Sequence, residues 1–398
     1  MARRPGTPRL LRELNDRAAL ELLIAEGPLT RAQIGERTGL SKVTASQLLA
    51  RLEERGLVEV VGEQAGGRGP NAALYAVVPA AAYVAGLEVG PTGVTAGIAD
   101  ITGCIIAQVT VDLDNADDPV SVVHTAVSKA CRSARVALSR LSAFVIGTPG
   151  VVDPRTGDVQ FAFDLPTWHE GVLDGLRTDL RRPVVIENDV NLVAVAERAY
   201  GAARDAEDFA LMWMDRGVGL AVVLGGRIHR GISGGAGEIG YLPVPGVPLP
   251  EGVTESMAWG KPALAGGFGS LVGADAVLEL ARAHGFTDPG SATECVRAAV
   301  ADEERGGAFL DELAIRISYG VASVNIVLDP GLVVISGEMG RAGGAALAAR
   351  VERAVARICP TRPRIALTQV DGNPVLRGAL YSALEQAREE VFSSTTDD

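Results

Sequence analysis

The 398-residue sequence predicts an α/β chain in two unequal parts, a small helix-rich head and a large two-lobed body. Three observations point there. Short helical periodicities closed by a glycine-rich hairpin come before residue 80, a triplet of alternating apolar strands occurs twice after it, and the charge balance changes sign between the two. Residues 1–80 carry 11 Lys and Arg against 9 Asp and Glu, whereas the remainder carries 26 against 40. Only the head is therefore suited to approach a polyanion. At 47% hydrophobic and 22% charged, the composition is that of a folded protein with sizeable cores.

In the head, "NDRAALELLIAEG" predicts a first helix with Asn15 as N-cap, Ala19, Leu22 and Leu23 on one face and Gly27 as its stop. The preceding "ARRPGTPRLLR" reads as a flexible basic arm. In "TRAQIGERTG", Thr30 and Gln33 form a capping box and Gly39 ends a short second helix. "LSKVTASQLLARLEERG" is a third helix, capped by Ser41 and closed by Gly56. At about 100° per residue, Ala45, Leu48, Leu49 and Leu52 share its inner face. Val43, Ser46, Gln47, Ala50 and Arg51 occupy the outer one, with Lys42 and Thr44 at its margins. "LVEVVGE" and "AALYAVV" then flank a turn holding Arg68 between Gly67 and Gly69.

This pattern is a winged helix-turn-helix, expected over residues 1–80, with double-stranded DNA as its partner. Gln47 suits a bidentate pair to adenine and Val43 a thymine methyl. Lys42, Thr44 and Ser46 suit phosphate oxygens, and Arg51 shares their face. Arg68 can enter a narrow minor groove, the alternative being a solvated turn residue.

Only "PAAA" separates the wing from the body. The strands "YVAGLEVG", "VTAGIAD" and "CIIAQVTVDL" are matched later by "FALMWMDRG", "VGLAVVLGG" and "RIHRG". Helical stretches such as "VSVVHTAVSKACRSARVALSRL" and "GAALAARVERAVARI" intervene, so two α/β lobes with a cleft between them are expected. Lobe one should span about 81–200 plus the C-terminal helix, and lobe two about 201–375. The corner "VVIENDVNLVAVAE" crowds Glu187, Asn188, Asp189 and Asn191 where a strand meets a helix. Such a crowd is either a catalytic base with its substrate clamp or a site that only holds a polyhydroxy ligand.

The runs "GTPGVVDPRTG" (147–157), "DLPTW" (164–168), "ENDVN" (187–191), "GGRIHRGISGGAGEIG" (225–240), "ESMAWGKPAL" (255–264) and "LDPGLVVISG" (328–337) resemble the ROK family. This group comprises sugar kinases and sugar-responsive repressors on the actin/hexokinase-like fold, and the head places the chain near its repressor branch. The resemblance implies a sugar clamp of Asn188, Asp189, Glu238 and Glu255, with Tyr241 alongside. In family kinases the residue matching Asp189 is the base that takes the sugar hydroxyl proton. Its other reading here is a helix cap.

Three phosphate-facing loops depart from the kinase pattern. Asp-x-Gly-Gly-Thr has become Glu88-Val89-Gly90-Pro91-Thr92, Gly-Thr-Gly has become Asp215-Arg216-Gly217, and Gly-Gly-Gly has become Ser336-Gly337-Glu338. A proline removes a backbone N–H, and acids oppose a phosphate. No catalytic residue and no cofactor is therefore expected. The family's zinc ligands are missing too: position 241 is Tyr, and "LPVPGVPLPEGVTE" holds neither Cys nor His, so no metal is expected.

The scattered Cys104, Cys131, Cys295 and Cys359 and four isolated histidines fit a reduced compartment. Gly235–Gly240 spells G-x-G-x-x-G, but the proline-rich "YLPVPGVPLP" after it cannot be the helix that a dinucleotide fingerprint needs. No leader opens the chain and no apolar run reaches about 18 residues, so a cytoplasmic protein without a membrane span is expected. The expectation is a sugar-responsive DNA-binding repressor, homodimeric or homotetrameric, binding operator DNA and a sugar effector. Its rivals are a sugar kinase carrying a DNA-binding head and a constitutive regulator with an unused cleft.

Overall fold

The computed structural model describes residues 8–65, 71–112, 118–160, 171–250, 266–286 and 290–393. In the head, α1 (Pro8–Glu26), α2 (Arg31–Thr38) and α3 (Lys42–Glu54) pack beside a small sheet of β1 (Leu29–Thr30), β2 (Val58–Gln64) and β3 (Ala72–Val77), in the order β1-β3-β2. The capping box forms as the residues require: Thr30 accepts from Gln33 N at 3.3 Å, and Gln33 accepts in turn from Thr30 N at 2.8 Å. Gly39 ends α2 in the left-handed conformation, and Ser41 caps α3.

The start of α1 differs from expectation. It already includes Pro8, so residues 8–12 are helical rather than a flexible arm, and Asn15 lies inside the helix instead of capping it. Proline is favoured in a first helical turn, and "RLLREL" after it contains no breaker.

The body repeats one sheet design. Its first sheet contains β4 (Tyr83–Gly90), β5 (Gly93–Asp100), β6 (Ile105–Asp112), β7 (Leu141–Thr148) and β10 (Val184–Asn188), in the order β10-β7-β4-β5-β6. The hairpin β8 (Val151–Val152) and β9 (Val159–Gln160) stands beside it, with α4 (Pro119–Ala134) and α5 (Val172–Leu180) on one face. The second sheet contains β11 (Phe209–Met214), β12 (Val218–Leu224), β13 (Arg227–Ile228), β14 (Leu332–Ser336) and β15 (Arg364–Leu367), in the order β13-β12-β11-β14-β15. Both sheets are an antiparallel meander of three strands continued by two parallel ones. The strand triplets seen in the sequence are those two meanders.

The helices α7 (Gly269–Val272), α8 (Ala274–Ala283), α9 (Ala292–Ala301), α10 (Glu303–Leu328) and α11 (Gly337–Val355) pack with the second sheet. Two helices hold the assembly together. The first, α6 (Asp189–Tyr200), follows β10 directly and touches strands of both sheets. The second, α12 (Pro374–Ser393), lies across α6, β4 and β7. Glycine makes both crossings close: a β-carbon at Gly378 would overlap the Leu192 carbonyl, and one at Gly86 would lie 2.7 Å from Leu380.

One apolar core continues from the head (Leu20, Leu48, Leu52) through α12 and α6 into the second sheet (Leu211, Val223, Val334). Burial of this kind contributes about 25 cal/mol per Å² of apolar surface, so the head is held by more than its short linker. Arg55, just after α3, also donates to the Val391 carbonyl of α12 at 2.7 Å. The variant Gly378→Ala is expected to lower the melting temperature by an overpacking cost of about 1–3 kcal/mol. Thermal unfolding of the full chain checks this, and an unchanged midpoint would mean that the α6–α12 crossing relaxes freely.

Candidate functional site

The recognition face of α3 is only partly as its periodicity implies. Ala45, Leu48, Leu49 and Leu52 are buried, while Lys42, Val43 and Gln47 project outward, Val43 with 67% of its surface exposed. Thr44 shares the Ser41 cap, its hydroxyl 2.8 Å from Ser41 Oγ. Ser46 accepts from Arg31 Nη1 at 2.9 Å, which sets an exposed guanidinium beside the outer face. Arg31 went unnoticed in the sequence, although a basic residue opening the helix before a recognition helix is a usable signal.

Arg51 must be reassigned. Its guanidinium turns inward to a wholly buried Asp16 carboxylate, Nη2 to Oδ1 at 2.6 Å, because a carboxylate removed from water needs a cation or several donors, and here it has the cation. It is a bolt between α3 and α1. Arg68 lies outside the described residues.

At the polar corner, β10 ends on Asn188 and α6 starts at Asp189. Asn188, not Asp189, is the cap: its Oδ1 accepts from Asn191 N at 3.1 Å. Its Nδ2 donates to the Gly150 carbonyl at 3.0 Å, fixing the turn after β7. Glu187 is buried and accepts from Asn191 Nδ2 at 2.9 Å. It also takes Arg230 Nε at 2.6 Å, which ties β10 to the segment after β13. The crowd thus divides, with Glu187, Asn188 and Asn191 building the corner and leaving Asp189 as its working group.

Asp189 is half-buried, and its carboxyl is pushed up to about 6, first by desolvation and then by the nearby charge of Glu88. Its hydrogen bond from Val190 N, at 2.8 Å, opposes the shift without cancelling it. Glu238 faces it: burial and then the Asp189 charge raise that carboxyl as well. Tyr241 is raised by burial and by Glu238. Glu88 is raised by burial, partly offset by the Asn373 amide, which donates to it from the start of α12. Glu88, Asp189, Glu238 and Tyr241 therefore form one electrostatically linked row. Glu255 lies outside the described residues.

Residues 84–386 match the model of the ROK family, and residues 13–69 that of the MarR family. The chain belongs to the ROK family. It is 27% identical over 241 residues to the N-acetylglucosamine repressor of Escherichia coli O157:H7, a match covering 60% of this chain and 59% of that protein. The chain thus matches less than two thirds of that repressor's length. A ROK hexokinase from Thermus thermophilus superposes with a TM-score of 0.63 at 27% identity, over 77% of this chain and 99% of that one. A ROK family transcriptional regulator, described as a homolog of the E. coli MLC protein, gives a TM-score of 0.71 over 96% of this chain and 100% of that one. At 17% identity it speaks for the fold alone.

Within the ROK body, Asp215 and Glu338 are neighbours. Asp215 follows β11 and Glu338 opens α11, and the carboxyl of Asp215 is raised by burial and then by the Glu338 charge. Beside the loop at Arg216 and Gly217 lies a cavity of about 260 Å³, which also carries Asp275 and Glu279 on its wall. Among the described residues no three His, Cys, Asp or Glu side chains cluster as metal ligands.

In the head, Arg51→Ala strands the Asp16 carboxylate and is expected to destabilise the fold by about 3–5 kcal/mol. Gln47→Ala should leave melting unchanged and relax preference at one base pair by about 1–3 kcal/mol. Melting curves paired with DNA titrations separate the two roles; an Arg51→Ala protein that melts like wild type would return Arg51 to the recognition face.

At the corner, the Asp189 carboxyl has a higher value in the folded chain than its ordinary 3.8, so the native state holds an extra proton between about pH 4 and pH 6. The stability from this group is full below the lower value and is lost as pH rises through the upper one. Asp189→Asn is therefore expected to stabilise the protein at pH 8 by up to about 3 kcal/mol, with the gain shrinking to nothing near pH 4. Melting at the two pH values tests this, and a variant less stable than wild type at pH 8 would contradict it.

Proposed function

We propose that this chain is a sugar-responsive, DNA-binding transcriptional regulator acting as a repressor, and that its kinase-like body binds sugar without transferring phosphate. The observation that carries the reading is the continuous core linking a head with an exposed Lys42–Val43–Gln47 face to both helices at the base of the cleft. A body that served only catalysis would have no use for that connection. The similar N-acetylglucosamine repressor supports the same reading.

Asp189 and Glu238 supply acceptors for neighbouring hydroxyls, with Tyr241 next to them and Asn188 positioning the corner; Glu255 is assigned to the same clamp by family position. Sugar bridging the two lobes would favour one closure state, and α6 and α12 would pass that preference to Arg55 and the recognition helix. Sugar can shift DNA affinity only by its differential affinity for the two states. Two heads related by a dimer axis would read an inverted repeat with half-sites an integral number of about 10-bp turns apart.

Two features oppose phosphoryl transfer. Asp215 and Glu338 bring carboxylates where bare backbone N–H groups would cradle phosphate, and Pro91 removes an N–H from the first loop. The 260 Å³ cavity beside the second loop is also small against the roughly 300–1,000 Å³ usual for ligand sites. The kinase alternative draws on one observation, the Asp189 carboxyl near 6, since a general base works best with a value close to the operating pH.

The experiment that decides combines a phosphorylation assay with a sugar titration of the operator complex. Wild type is expected to make no sugar phosphate from ATP with any hexose, pentose or amino sugar that binds. Asp189→Asn should lose about 1–3 kcal/mol of sugar affinity and the sugar response, with DNA affinity unchanged in the absence of sugar. Turnover by wild type would sink the non-enzyme reading. A full sugar response in the variant would remove the ligand from this corner.

A further inference from the structure

On the opposite side of α6 from the sugar corner lies a cavity of about 630 Å³, walled by α6, the turn into β13, and α12. Four arginines line it, Arg198, Arg204, Arg227 and Arg230, together with Tyr381 and one carboxylate, Glu385. Arg230 is neutralised by Glu187 and Glu385 lies 3.8 Å from Arg388. The other three guanidiniums have no ion pair among the described residues. Arg198 donates to the Gly226 carbonyl, and Arg204 donates to the Tyr200 carbonyl at 2.6 Å. Those bonds orient the side chains and leave their charge uncompensated. A β-carbon at Gly226 would lie 2.8 Å from Arg198 Nη2, so the bare turn gives that guanidinium its place.

Three guanidiniums without an ion pair among the described residues converge on one cavity, on a body whose remaining charge is strongly acidic. A planar guanidinium fork matches phosphate oxygens in pairs. The cavity's concave shape suits a compact anion, whereas a DNA backbone requires a stripe of cations along a surface.

We propose that this cavity is a second ligand site of the protein, for a phosphate group, either as inorganic phosphate or as a small phosphomonoester. Arg198, Arg204 and Arg227 are its ligands, and the Tyr381 hydroxyl lies on the same wall. The site touches α6 near the end opposite Asp189, the segment that carries Arg230, and α12. A bound phosphate would thereby brace the three elements between the sugar corner and the head. The proposal stands apart from the sugar assignment, because none of its ligands belongs to the clamp.

The test is calorimetric titration of the full chain at low ionic strength with inorganic phosphate and, separately, with glucose 6-phosphate, using wild type and the double variant Arg204→Gln/Arg227→Gln. Both substituted side chains are exposed and unpaired by acids, so the fold should survive, and a melting curve verifies it. Wild type is expected to bind saturably and the double variant at least tenfold more weakly. Tighter binding of glucose 6-phosphate than of phosphate, lost in the double variant, identifies a phosphomonoester site; equal binding identifies inorganic phosphate. Absence of saturable binding to either probe overturns the proposal, as does undiminished binding by the double variant. A double variant that loses affinity for DNA alone would make these arginines a DNA contact instead.

Discussion

The structure turns on the placement of α6. Its first residue is the half-buried carboxylate Asp189, and near its other end Glu197 is wholly buried with no ion pair among the described residues. Glu197 is held by donors alone: Ala202 N at 2.8 Å, Gln369 N at 3.0 Å, Val370 N at 3.2 Å and the Thr368 hydroxyl. A buried carboxylate that lost such donors would be destabilised by several kcal/mol, so the strand ends at 368–370 cannot leave α6 cheaply. At the front, Glu187 and Arg230 make a second tie between the lobes. Two polar fastenings and one apolar seam, one at each end of the helix and one along it, fix how the lobes can rotate.

That arrangement explains why a destabilising corner can be tolerated. Placing the carboxyls of Glu88, Asp189 and Glu238 within reach of one another, each raised by desolvation, works against the fold at neutral pH. The neighbours absorb the strain: Asn188 caps the helix, Asn191 and Arg230 satisfy Glu187, and Asn373 serves both Glu88 and the start of α12, where its Oδ1 accepts from Leu376 N at 2.8 Å. Glu187, Asn188 and Asn191 thus frame the corner around the Asp189 carboxyl. Under the proposed sugar reading, hydroxyl donors arriving at this row of acceptors would relieve its electrostatics.

Much of this was legible in the sequence where the determining contacts are local. The Thr30–Gln33 box, the Ser41 cap, the Gly39 stop and the buried stripe of α3 depend on residues three or four apart, and all form as read. The repeated strand triplets fixed both meanders for the same reason, since alternation is a property of each strand alone. What could not be read joins distant segments. Arg51 meets Asp16 across 35 residues, Arg230 meets Glu187 across 43, and Glu197 meets the amides near 369 across more than 170. The helical wheel put Arg51 on the outer face because it knows only α3; α1 decides where a long flexible side chain goes. That Asn188 caps α6 was not read either, because a cap and a ligand contact call for the same residue type.

The same fastenings bear on how a kinase-like body can serve regulation. In a phosphoryl-transfer enzyme, closure energy is directed at the transition state, and the lobes must reopen to release product. Under the proposed reading, in which Asp215 and Glu338 oppose a phosphoryl donor, closure on sugar would have no chemical exit and would persist as an equilibrium. Its free energy is then available to whatever distinguishes open from closed. Here that is the pose of α12, which contacts α1 and hydrogen-bonds Arg55 at the foot of α3. A shift of one or two kcal/mol at that joint corresponds to roughly a five- to thirty-fold change in an equilibrium. A tight coupling of head to body is therefore more than a packing convenience. With a loose tether in its place, a change of pose at the cleft would not reach α3.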